Sequence, residues 1–141
     1  MNPSLTPPTF IRCLSAMLYE ALLLIGVIAI GVILPHILLP VFAKVVTPAW
    51  VQRLHFVALL ALYFVWFWVH GGQTLAMRTW KIRVIDKSGA PLRPMQALFR
   101  YLAAWFSLFC LGIGFFWRFV DPEKQFLHDR LAGSRLILTP R

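Results

Sequence analysis

The run Cys13 to Leu34, CLSAMLYEALLLIGVIAIGVIL, is 22 residues long and contains one charged side chain, Glu20. As a helix it would measure about 33 Å, enough to cross a hydrocarbon core of about 30 Å. A cleaved signal peptide is a poor account of it. Arg12 is the one preceding charge, the apolar core is too long, and no A-x-A site follows. The segment is therefore expected to remain as a membrane span. Composition agrees: 60% of the residues are hydrophobic and 13% charged, against about 45–50% and about 25% in soluble domains. A chain of 141 residues cannot hide that much apolar surface within itself.

Residues 1–11 hold three prolines and no charged side chain and read as a flexible lead-in. After the first run, Pro35, Pro40 and Pro48, with Lys44 and Trp50, predict a short extracytoplasmic loop at the interface. A second apolar run covers about 54–70, and the Tyr63, Phe64, Trp66, Phe67 and Trp68 cluster near its end reads as an interfacial belt or as aromatic packing between helices. The third run, about 98–120, is interrupted by Gly112 and Gly114.

The segment 71–97 is different in character. Arg78, Lys81, Arg83, Lys87 and Arg93 make it the densest basic stretch between apolar runs, which the positive-inside rule places in the cytoplasm. Gln73 to Met77 predicts a short amphipathic helix, Trp80 to Ile85 a short strand, and Asp86-Lys87-Ser88-Gly89 a turn. The tail carries Arg118, Lys124, Arg130, Arg135 and Arg141, which argues for the same side. A straight third span would put that tail outside. A re-entrant hairpin turning at Leu111-Gly112-Ile113-Gly114 would keep it inside, and both arrangements remain open. The expected fold is an all-α membrane protein with two transmembrane helices, a third Gly-broken segment that spans or re-enters, and a short cytoplasmic β-element, all in one domain over 1–141.

The net charge of +9 points to anionic lipid headgroups, since the basic residues flank apolar runs and no groove-reading motif is present to bind nucleic acid. Cys13 and Cys110 lie in or beside apolar stretches and read as small buried hydrophobes. No nucleophile elbow, H-E-x-x-H or phosphate loop occurs, and Gly112-x-Gly114 is no dinucleotide fingerprint because no strand precedes it. Neither catalysis nor a cofactor is expected.

Taken in order, Arg12, Glu20, the block Gly72-Gln73-Thr74-Leu75 with Trp80-Lys81-Ile82-Arg83-Val84-Ile85-Asp86 and Gly89-Ala90-Pro91, and the closing Leu127-His128-Asp129-Arg130-Leu131-Ala132-Gly133-Ser134 resemble the RDD family of bacterial membrane proteins, from about residue 8 to residue 138. The family takes its name from one arginine and two aspartates. Arg12 would match the arginine and Asp129 the second aspartate, while Glu20 stands at the first. Ala76-Met77 stands where a Gly-Lys pair is usual. The resemblance implies a multi-pass protein of the bacterial cytoplasmic (inner) membrane, and cation/proton antiport has been proposed for some members.

Four residues are candidates for ion or proton chemistry. Glu20 lies about 12 Å beyond Arg12 along a helix, where an acid either marks a functional site or makes an interhelical hydrogen bond. Arg12 can snorkel to the headgroups, and a cytoplasmic tail would let Asp129 clasp it. His128 beside Asp129 invites a proton relay, although neighbours on a helix point about 100° apart. Two functions follow as expectations. One is cation or proton transport at Glu20 by a homo-oligomer, or with a partner membrane protein. The other is an anchor whose basic face binds a partner protein or anionic lipid.

Overall fold

The structure is a computed structural model describing residues 6–110 and 112–139, so the first five residues of the lead-in, Leu111, Pro140 and Arg141 lie outside the described residues. The first helix starts where Thr9 accepts a hydrogen bond from the Arg12 amide. It then runs as one continuous helix, α1, from Phe10–Ala43 over 34 residues with a mean hydropathy of 2.8. The loop expected around Pro35 and Pro40 is thus helical. Two π turns, Ala29–Ile33 and Leu39–Ala43, accompany these prolines, with Leu34 N–H bonding to Ala29 O and Lys44 N–H to Leu39 O. A π turn widens the helix and reroutes its ladder, so a missing proline N–H need not end it. In apolar surroundings helical pairing is also the one economical way to satisfy the remaining backbone groups.

The chain reverses at 44–48, with Lys44 in the left-handed region at φ 53°. The second helix, α2, is Ala49–Val69, 21 residues with a mean hydropathy of 1.4. It begins earlier than the apolar run and includes Trp50, Gln52 and Arg53, helped by the Gln52 amide donating to Thr47. On α1 the large apolar residues Leu14, Leu18, Leu22 and Ile25 are exposed while Cys13, Ala16 and Glu20 are buried. Greasy outside and small or polar inside is the reverse of a soluble helix. The two helices are long and apolar enough to cross a membrane.

Beyond α2 come a one-and-a-half-turn helix α3 (Leu75–Thr79) capped by Thr74, and strand β1 (Ile82–Asp86). The expected turn closes with Gly89 N–H donating to Asp86 O at 2.9 Å. Helix α4 (Pro94–Phe109) and helix α5 (Ile113–Val120) meet at 99°. Two glycines permit this bend. Gly112 takes φ 74°, a conformation costly for other residues, and Gly114 lies so close to Ser107 that any Cβ there would overlap it.

Helix α6 (Leu127–Ala132) leads into strand β2 (Ser134–Leu138), a second strand beyond the single one expected at 80–85. It pairs antiparallel with β1, in register Ile82↔Leu138, Val84↔Leu136 and Asp86↔Ser134. The N-terminal segment joins the same layer: Leu138 N–H donates to Thr6 O at 3.0 Å, and the buried Arg118 guanidinium donates to Pro8 O and to Cys13 Sγ. Trp68, Ile82, Val84, Leu92, Ala97, Phe126 and Leu136 form the core that fixes this layer to the helices.

Candidate functional site

Glu20 faces inward from α1 and is 9% exposed. Tyr63 in α2 donates its hydroxyl to Oε1 at 2.6 Å, and Thr74 donates to Oε2. Thr74 Oγ1 also accepts from Met77 N–H as the cap of α3, so one hydroxyl ties the start of α3 to the carboxyl on α1. Since Tyr63 lies in the last two turns of α2 and Thr74 follows its end, the carboxyl is level with the C-terminal end of α2. No basic side chain among the described residues pairs with it.

Asp129 is fully buried, and its partner is Arg100, not Arg12. Arg100 Nε donates to Oδ1 at 2.7 Å, and Ser134 Oγ donates to the same oxygen at 3.3 Å. The Arg12–Asp129 clasp is therefore not what the chain forms. Helix α1 buries Cys13 on its inner side and leaves the Arg12 side chain exposed. Arg100 enters from α4 with its guanidinium 4.1 Å over the Trp68 ring, where ion pairing and a cation–π contact together hold a buried charge.

His128 stacks on Phe126 at 5.5 Å between ring centroids, with Nε2 3.8 Å from Asp129 Oδ2. That separation is too long for a hydrogen bond. Burial pushes the imidazole pKa down to about 4, outweighing the upward pull of Asp129, while Arg100 adds to the decrease. His128 is thus neutral at neutral pH and the contact with Asp129 is no ion pair.

Three of these groups share one space. Glu20, Arg100 and His128 all line a cavity of about 490 Å³ between α1, α2 and α4, to which α3 and α6 also contribute lining residues. Of the four residues singled out from sequence, the structure gathers Glu20 and His128 around this cavity, sets Asp129 directly behind Arg100, and leaves Arg12 outside. Tyr63, Thr74 and Arg100 were missed. The available signals were a hydroxyl inside the second apolar run, a Thr opening the middle block, and a charge two residues into the third run.

Outward-facing leucines on two long apolar helices, enclosing a carboxyl held by hydroxyls, define a helical membrane protein. The chain belongs to the RDD family, whose profile matches residues 7–133. It is also 27% identical over 81 residues to an uncharacterized protein of Rickettsia prowazekii (strain Madrid E), a match covering 57% of this chain and 45% of that one. The chain thus spans less than half the length of that relative. No solved structure matches.

Proposed function

We propose that this protein exchanges a proton for a cation at Glu20, working as a multi-pass homo-oligomer in the bacterial cytoplasmic membrane. The observation that carries this reading is a buried carboxyl held by two neutral hydroxyls with no basic partner among the described residues. The two hydroxyl bonds would also serve an acid that only holds helices together. What favours exchange is the lack of a basic partner among the described residues, where Asp129 has Arg100. Glu20 is instead left with a place for a proton or a diffusible cation, the usual meaning of an intramembrane acid.

In this account the α4–α5 pair is a re-entrant hairpin. Strand β1 precedes the pair and β2 follows it, and the hydrogen bonding between the two strands supports a segment that returns to the side it entered. The exposed Arg78, Lys81, Arg83, Lys87 and Arg93 support a cytoplasmic location for that shared side. Two spans and a hairpin cannot enclose a pathway alone, which is why an oligomer or a partner membrane protein is part of the proposal.

The same five exposed basic residues favour a second reading, an anchor whose cytoplasmic face binds anionic lipid or a partner protein. Proton flux into proteoliposomes, driven by an imposed cation gradient, separates the two. Exchange requires that Glu20→Gln abolish the flux, whereas an anchor shows none in either protein.

A further inference from the structure

The cavity beside Glu20, about 490 Å³, falls within the range of about 300–1,000 Å³ usual for small-molecule sites. Its walls are aromatic rings and thioethers: Phe64 from α2, Tyr101 and Trp105 from α4, Phe115 from α5, with Met17 and Met77. The ionisable and charged groups that line it come from α1, α4 and α6. Cys13 lies on α1 with Glu20, Arg100 and Tyr101 on α4, and His128 on α6, while Tyr63 of α2 holds the carboxyl itself. Arg100 is answered by Asp129, and its guanidinium already covers the face of Trp68. His128 is neutral. Glu20 is then the one carboxyl here without a counter-charge among the described residues.

An alkali cation needs a shell of oxygens to replace its water. The oxygens at hand are the Glu20 carboxyl and the Tyr63 and Thr74 hydroxyls that already donate to it. Apart from the Cys13 thiol, the neutral His128 ring and Arg100, which Asp129 answers, the other walls are rings, methyls and thioethers. Such walls suit a soft cation with apolar substituents, through ring faces, apolar burial and the adaptability of methionine.

We infer that the cavity takes a lipophilic organic cation, an amine or onium bearing apolar groups, which displaces the proton of Glu20. The inference rests on the reading of Glu20 as an exchange site. In the step, the O–H bond of the acid breaks, the proton passes to water, and the cation takes its place beside the carboxylate. The charge of the cavity is unchanged.

Calorimetry on the detergent-solubilised full chain with tetraphenylphosphonium chloride, in two buffers of different ionisation enthalpy, tests this. The expected result is binding with proton release. Glu20→Gln should lose both, and Trp105→Leu should bind about threefold to tenfold more weakly while still releasing the proton. Thermal unfolding of each variant checks that it is folded, and Trp105→Leu carries the test should Glu20→Gln fail to fold. Proton release by sodium or potassium chloride but not by the phosphonium overturns the substrate class and leaves the exchange reading standing. Release by none of these cations overturns both. Equal phosphonium binding by wild type and both variants identifies adsorption elsewhere and overturns the inference.

Discussion

Arg100 and Asp129, 29 residues apart in sequence, form a buried ion pair at 2.7 Å with side chains 6% and 0% exposed. The pair joins α4 to α6 and, through Ser134, to the start of β2. Removing one member leaves a buried charge without a partner. Arg100→Ala or Asp129→Ala should each destabilise by about 3–5 kcal/mol. The double variant Arg100→Met/Asp129→Leu should recover most of that loss. Thermal unfolding in detergent reads all three, and additive losses would show that the two side chains do not act as a pair.

Arg12 gives the contrasting case. Its side chain is exposed and Asp129 is held elsewhere, so Arg12→Gln should change stability by no more than about 0.5 kcal/mol. A loss as large as that of Arg100→Ala would reinstate Arg12 as the partner of Asp129.

His128 gives the protein a pH dependence with a definite sign. The unfolded chain takes up the imidazole proton below about pH 6.5, while the folded protein resists until about pH 4. Stability from this group is therefore constant above about pH 6.5, falls as the pH drops toward 4, and levels off below, a loss of about 3 kcal/mol in all. His128→Phe should remove that slope from the curve of unfolding temperature against pH. A variant whose slope matches wild type would assign the acid sensitivity to other groups.

At the α4–α5 bend, a methyl on residue 114 would overlap the Ser107 side chain. Gly114→Ala should destabilise by about 1–3 kcal/mol, and adding Ser107→Gly should restore most of it. If the second change rescues nothing, the bend does not depend on this contact.

Much of the framework was legible from residue order alone. The apolar run from Cys13, with Glu20 as its one charge, announced α1, the second run announced α2, and Asp86 to Gly89 announced its turn. Pro35 and Pro40 misled because a proline marks a helix end in water, whereas here π turns carry the helix past it. Strand β2 was hidden because Leu136-Ile137-Leu138 lacks strict alternation and its partner lies far away in the chain. The site divides in the same way. Glu20 stood out because an acid in an apolar run is costly wherever it sits. Its partners, and the choice of Arg100 over Arg12 for Asp129, are long-range contacts that no local spacing encodes.

The most direct measurement of the central claim is the reaction of Glu20 with dicyclohexylcarbodiimide in native membranes, located by mass spectrometry of the full chain. A carboxyl that exchanges its proton for a cation should be modified when protonated, and should be protected when an organic or inorganic cation occupies the site. The account predicts modification at Glu20 that slows on adding cation. A Glu20 that does not react, or reacts at the same rate with every cation added, would contradict it.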